Sequence, residues 1–436
     1  MTTSQPAVPP VPATRRAPFA DNPSVGLRGV ETHRRLLQAA LDVFGEVGYH
    51  GARVETITAA VGCSRPSFYQ YFSSKEDLFR QLAGHVARSL FEITERIDTV
   101  TADDAGCQVL RGWLEDYSNI YDDYTAVFNA YGAARGSDDA IASGATRVAR
   151  RQVGSLAARI ESEEAAAPVE DLTPLLFHMV VRTNRYRHLV GELDGEVSLD
   201  RARVNDALAA VLHRAVFGPR PRVNMTGTHP PGAPRRSRSG TPRVPAGPTS
   251  TRTPPGAAGR ATRDRLMTVG RQVFAKRGYH DTRVHDIVEL AGTSHGTFYR
   301  YFHDKQDLFR MIAAEAGRRI FAAIDGLPDV AARDALSEWA EAYTATYRDE
   351  GPIIRVWVEA MTPDNELGSF SINAVDGVRR RLARYLAPRD FGDVDAESLV
   401  LLALIDGAPW ERPNAAAGDV LADVIARSFL GVRRPS

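Results

Sequence analysis

One segment occurs twice in this chain, and that repeat constrains its fold more than any other feature. Residues 48–80 read GYHGARVETITAAVGCSRPSFYQYFSSKEDLFR, and residues 278–310 read GYHDTRVHDIVELAGTSHGTFYRYFHDKQDLFR. The two align without a gap at an offset of 230 residues, with about half the positions identical. Solenoid units recur every 20–50 residues or so, so an offset this long means a duplicated domain. A chain of 436 residues is in any case too long for one ordinary domain. Between the copies, residues 219–259 are rich in Pro, Gly, Ser, Thr and Arg and contain neither Asp nor Glu. Such a stretch buries too little apolar surface to offset its ordering entropy, so it reads as a flexible linker. Residues 1–28 read as a disordered tail for the same reason. The expected layout is tail 1–28, helical module 29–89, helical body 90–218, linker 219–259, second module 260–319 and second body 320–436.

Within each module the apolar residues recur with the period of a helix. Leu36, Ala40, Val43, Phe44 and Val47 mark a first amphipathic helix, matched by Leu266, Gly270, Val273 and Phe274. Gly48 and Gly278 follow where a glycine would end it. Val54, Ile57 and Val61, matched by Val284, Ile287 and Ala291, mark a short second helix. Ala52 and Thr282 stand at its start, Thr282 as a competent N-cap and phosphate ligand, Ala52 as a poor one. Gly62 or Gly292 makes a turn, and Ser64 or Ser294 caps a third helix that buries Phe68 and Phe72, or Phe298 and Phe302. Ser74-Lys75-Glu76-Asp77 and Asp304-Lys305-Gln306-Asp307 resemble capping boxes opening a fourth helix. Two short helices joined by a glycine-containing turn form a helix-turn-helix. The bodies also read as helical: Trp113, Tyr117 and Tyr121 step at i, i+4 and i+8, as do Trp339, Tyr343 and Tyr347. The fold class is therefore all-α, with two helix-turn-helix domains each followed by a helical domain.

The doubled pattern G-x-S-x-x-[ST]-F-Y-x-Y-F-x-x-K-x-x-L, carried by GCSRPSFYQYFSSKEDLF and by GTSHGTFYRYFHDKQDLF, resembles the N-terminal domain of TetR-family transcriptional regulators. That resemblance implies a double-stranded DNA operator as partner, an unknown small-molecule effector, and dimeric action, as a homodimer or as a pseudo-dimer within the chain. In a helix-turn-helix the second helix enters the major groove by its N-terminus. Position then points to Arg65, Ser67 and Gln70 in the first copy, and His295, Thr297 and Arg300 in the second, as base or phosphate contacts; the alternative is plain solvation. Tyr69, Tyr71, Tyr299 and Tyr301 read either as phosphate contacts or as core aromatics with the hydroxyl at the rim. Lys75 and Lys305 are two of only three lysines in the chain and hold equivalent positions at a helix start, a natural phosphate site. In the bodies the resemblance implies effector contacts, with His178, Arg182 and Tyr186 on one helix and Arg355, Trp357, Glu359, Asp406 and Trp410 as candidates; for each alone a structural role competes. The C-terminal helices near 203–217 and 418–431 are candidate dimerisation elements.

Charge and composition exclude other classes. The formal net charge is zero, so DNA attraction must come from local charge: residues 260–319 are net basic, residues 29–97 near balance. The linker arginines Arg220, Arg222, Arg235, Arg236, Arg238, Arg243, Arg252 and, just past its end, Arg260 add phosphate attraction or merely keep a tether soluble. About 40 flexible residues span roughly 35 Å, comparable to one helical repeat of DNA. Two cysteines, Cys63 and Cys107, allow neither a disulfide framework nor a metal set. No apolar run approaches the roughly 18 residues of a membrane span, and the cytoplasm is the expected location. No nucleotide loop, metal spacing or nucleophile motif marks an enzyme, and no cofactor is expected. The expectation is a regulator, a ligand-responsive repressor by analogy, closing as a pseudo-dimer on an asymmetric operator. The alternative is a TetR-fold scaffold or ligand sensor in which one module no longer reads DNA.

Overall fold

A computed structural model describes residues 27–134, 139–161, 163–191, 199–219, 256–328, 332–360, 366–389, 392–411 and 416–431. Among these the regular structure is helical, with one isolated bridge between Val100 and Ile160. Residues up to His85 form one compact unit and Val86 onward another.

The first unit holds α1 (Leu27–Gly51), α2 (Val54–Val61), α3 (Arg65–Tyr71) and the start of α4 (Lys75–Glu95). Leu36, Ala40, Val43 and Phe44 turn one face of α1 inward, where they meet Ile57, Phe68, Phe72, Leu78 and Phe79, all buried. Val47, expected on that face, is instead exposed: it lies in the last turn before Gly48, whose φ of 70° breaks the helical path. Gly62 (φ 72°) makes the left-handed turn between α2 and α3, where only glycine is unstrained. Ser64 caps α3 as expected, accepting the Ser67 amide at 3.3 Å, and Pro66 sits harmlessly in the first turn. The helix α1 starts at Leu27, so the tail ends two residues earlier than its sequence suggested.

The second unit contains both bodies and the second module. The first body comprises α5 (Asp104–Asp123), α6 (Thr125–Ala134), α7 (Asp139–Ala157), α8 (Val169–Gly191) and α9 (Arg201–Phe217). The module repeats as α10 (Gly256–Arg277), α11 (Val284–Leu290), α12 (His295–Tyr301) and α13 (Lys305–Asp325), followed by α14 (Arg333–Ala360), α15 (Glu366–Leu386), α16 (Val394–Glu411) and α17 (Ala416–Phe429). The helix α10 begins at Gly256, inside the stretch assigned to the linker; the rest of that stretch, 220–255, lies outside the described residues. Trp113, Tyr117 and Tyr121 are core residues of the first body, and Trp339, Tyr343 and Tyr347 of the second. The helices α8 and α9 pack against α16 and α17, so the last two helices of one body meet the last two of the other.

Candidate nucleic-acid interface

The two modules are built alike down to the exposure of single side chains. Residues 62–70 and 292–300 show the same sequence of buried, half-buried and exposed positions. Phe68 and Phe298 are fully buried and anchor α3 and α12. Arg65, Tyr69 and Gln70 stand exposed on α3, as do His295, Tyr299 and Arg300 on α12; Ser67 and Thr297 are half-buried. Tyr69 and Tyr299 are each 46% exposed, each edge-on to the preceding phenylalanine at 5.4 Å with the rest of the ring toward solvent. The second pair of tyrosines faces the other way: Tyr301 is buried and Tyr71 half-buried against the His33 ring, 6.2 Å away. Of the four tyrosines, Tyr69 and Tyr299 are the exposed ones.

Both lysines are occupied internally. The Lys75 ammonium donates to the carbonyls of Tyr49 (2.8 Å) and Ala52 (3.2 Å) and lies 4.4 Å over the Tyr49 ring. Lys305 repeats this on Tyr279 (2.7 Å) and its ring (4.5 Å). Burial pulls the Lys75 pKa down, against the raising influence of Glu76. Each lysine thus ties the start of the fourth helix to the orphan carbonyls at the end of the first. Lys75→Met should cost about 2 kcal/mol, the usual value of hydrogen bonds to a charged donor. Chemical denaturation of the full chain reads this, and an unchanged midpoint would show the contact to be idle.

Two expected caps differ in detail. Thr282 is not the N-cap of α11; that residue is Arg283. Thr282 is buried, and its hydroxyl donates to the Gly278 carbonyl at 2.6 Å, so it faces away from any phosphate. The weakness ascribed to Ala52 on this ground therefore falls away. Asp77 and Asp307 do accept backbone amides, but from Ser73 (2.8 Å) and His303 (3.0 Å), one residue before the cap. The carboxylates reach back past the N-cap because the preceding residue turns its N–H inward.

The modules diverge at one contact that single-sequence reading passed over. In the first, Arg65 is paired with Glu55 of α2 at 2.9 Å and lies near the Tyr69 hydroxyl and ring. The equivalent residues in the second are His285 and His295, whose rings stack at 5.9 Å and 10°. The offset of 230 residues would have exposed this exchange had positions 55 and 285 been compared. It would also have drawn attention to Arg53 and Arg283, identical in the two copies and exposed at the N-caps of α2 and α11.

The family model "Bacterial regulatory proteins, tetR family" matches twice, over residues 36–82 and 266–317, which are the two helix-turn-helix modules. Each module thus matches the tetR-family segment, which stands here in tandem. Similar to it are the HTH-type transcriptional regulator YdgC of Bacillus subtilis, 40% identical over 70 residues, and the HTH-type transcriptional repressor AcnR of Corynebacterium glutamicum, 32% identical over 93 residues. These matches cover 16% and 21% of this chain and 36% and 46% of those proteins, so the chain spans less than half the length of the relatives it matches. The HTH-type transcriptional activator FasR of Mycolicibacterium smegmatis is 38% identical over 72 residues, 16% of this chain and 33% of that protein. These relatives are regulators, not enzymes.

In the bodies, three of the effector candidates come together, but as an internal contact. Asp406 of α16 is buried and accepts from the hydroxyls of Tyr186 (2.7 Å, α8) and Tyr347 (α14), with the Arg182 guanidinium (α8) 3.3 Å away. Burial opposes ionisation of Asp406, yet Arg182, the two hydroxyls and His178 hold its pKa below the usual carboxylate value. His178 is half-buried, Arg355 exposed, and Trp357 buried with its ring against Gly317. The side chains of Glu359 and Trp410 lie outside the described residues. A groove of about 770 Å³ opens elsewhere, between α13 and α14, with Arg319, Trp339, Tyr343 and Glu350 in its wall. Glu350 is buried, pairing with Arg319 (2.6 Å) and with Arg271 (2.5 Å) of α10 in the second module. No helix of the described residues is long and apolar enough to cross a membrane, and none of their His, Cys, Asp and Glu side chains group as a metal site.

Proposed function

We propose that this chain is a DNA-binding transcriptional regulator, a repressor in mode, which folds its two bodies together as a pseudo-dimer and reads an asymmetric operator. The observation carrying this is the matched exposure of α3 and α12: two buried phenylalanines hold two reading faces of the same shape but different chemistry. Arg65 suits guanine and Gln70 adenine, whereas the equivalent positions hold His295 and Arg300, which moves the guanine-reading arginine to the other end of the helix, so the half-sites should differ. Arg53, Tyr69, Arg283 and Tyr299 supply phosphate contacts, which fix register without reading sequence. The packing of α8 and α9 on α16 and α17 supports the pseudo-dimer. An effector entering the α13–α14 groove would meet Glu350, which is bonded to α10, and so reach the second module directly.

A gel shift on the DNA upstream of the protein's own gene tests the reading. Each good base contact is worth about 1–3 kcal/mol, so His295→Ala with Arg300→Ala should weaken specific binding at least tenfold. Arg65→Ala with Gln70→Ala should do the same if both modules read. Loss in the second pair alone leaves the first module as a partner that no longer reads, a role favoured by the Glu55 carboxylate that neutralises Arg65. A footprint with two identical half-sites would rule out the asymmetric operator.

A further inference from the structure

Three ion pairs join the two bodies among the described residues, and they point one way. Arg182 of α8 meets Asp406 of α16 at 3.3 Å. Arg214 of α9 meets Glu397 of α16 at 2.8 Å and donates to the Ser428 carbonyl of α17 at 2.7 Å. Arg203 of α9 meets Asp393, just ahead of α16, at 2.7 Å. In each of the three the cation belongs to the first body and the carboxylate to the second. The helices themselves are polarised in the same sense. The helix α8 carries Arg182, Arg185 and Arg187 with no Asp or Glu after Asp171, while α16 carries Asp395, Glu397, Asp406 and Glu411 with no Lys or Arg. Two of the carboxylates, Glu397 and Asp406, are buried, and Arg182 and Arg214 are mostly so.

These two helix pairs are equivalent elements of a duplicated domain, and an ordinary duplicated domain would keep a surface that pairs with itself. Here self-pairing is blocked. Two first bodies meeting through α8 and α9 would bring Arg182, Arg203 and Arg214 against an identical basic face. Two second bodies meeting through α16 and α17 would bury two copies each of Asp406 and Glu397, with Arg427 the one basic residue those two helices carry. Removing the partner of a buried charge is strongly unfavourable, so the like pairings lose far more than the unlike one gains.

We propose that this polarity is a pairing code: the first body accepts only a second body, and neither accepts its own kind nor an unpolarised TetR-type surface. The inference rests on the pseudo-dimer reading for where the partner comes from, since a second body tethered to the first is present at high effective concentration. The consequence is a regulator insulated from assembling with other members of its own family through these faces.

The test uses the full chain and the two pairs that share no tyrosine hydroxyl. One variant reverses the basic side (Arg203→Glu with Arg214→Glu), one reverses the acidic side (Asp393→Arg with Glu397→Arg), and one carries all four changes. Each two-residue variant should melt roughly 5–10 °C below wild type, and the four-residue variant should recover most of that loss. Co-expressed, the two two-residue variants should form a two-chain species, because each supplies the face the other lacks. Unchanged melting in the two-residue variants, no recovery in the four-residue variant, or no two-chain species on co-expression would overturn the code. Light scattering of the wild type separates this from the pseudo-dimer reading. A mass of 47.7 kDa means one chain closed on itself, and twice that means the same unlike pairing made between chains.

Discussion

Asp406→Asn should loosen the two bodies from each other more than any other single-atom change in the chain. The carboxylate is 6% exposed and serves three partners at once: the Tyr186 and Tyr347 hydroxyls and the Arg182 guanidinium. Asparagine keeps the shape but leaves Arg182 without its counter-charge, and it brings two N–H donors into a site whose tyrosines are themselves donating. Breaking a buried pair by removing one member costs about 3–5 kcal/mol. The pH dependence follows from the direction of the shift. Burial raises the carboxyl's pKa, but Arg182 and the hydroxyls more than offset it, so the folded value lies below the unfolded one. A depressed carboxyl contributes its full stability above the unfolded value of about 3.9 and loses it as pH falls through the folded value. The wild-type bodies should therefore hold together down to about pH 4 and then fall apart. The Asn variant should be weaker at pH 7 and should lack that part of the acid transition. Urea midpoints at pH 7 and at about pH 3, below the unfolded carboxyl value, measure both. Equal midpoints for the two proteins at pH 7 would mean that the contact contributes nothing.

Much of the module was legible in the sequence because its determinants are local. The positive-φ glycines, the serine caps of α3 and α12, and the phenylalanines at i and i+4 each act within one or two turns, and periodicity alone locates them. Reading failed where the deciding contact was distant. The rarity of Lys75 and Lys305 correctly marked them as special, but their carbonyl partners lie 26 residues upstream, in a turn that only the fold brings near. Thr282 was taken for a cap because it precedes an apolar run. The helix starts one residue later than a cap there would require, and the hydroxyl is drawn inward to Gly278. Val47 obeyed the helical period and still points to water, since periodicity does not say where Gly48 ends the buried face. Arg182, Tyr186 and Asp406 stand out in the sequence as candidate effector contacts for each of which a structural role competes. The joining of Tyr186 to Asp406 across 220 residues of chain is invisible without tertiary structure.

The other large effect is expected at Glu350. Its carboxylate is 1% exposed and is shared by Arg271 on α10 and Arg319 on α13, so one residue of the second body grips two helices of the second module. Glu350→Gln leaves the Arg271 guanidinium without a counter-charge, while Arg319 keeps Glu315 at 2.5 Å. Their side chains are 24% and 54% exposed and can turn toward water, which places the loss near the lower end of the range for a broken buried pair, about 3 kcal/mol. The loss should be local. At the offset that aligns the modules, Leu41 stands where the second has Arg271, so the first module has no such link. Hydrogen exchange should therefore speed up in α10 while α1 keeps its protection. DNA binding should weaken at the half-site of α12 alone. Under the proposed function, occupancy of the groove beside Glu350 would loosen the same grip that the substitution removes. Equal acceleration in α1 and α10 would instead mean general destabilisation, and unchanged exchange in α10 would mean that the second module is held by apolar packing with the ion pair as a bystander.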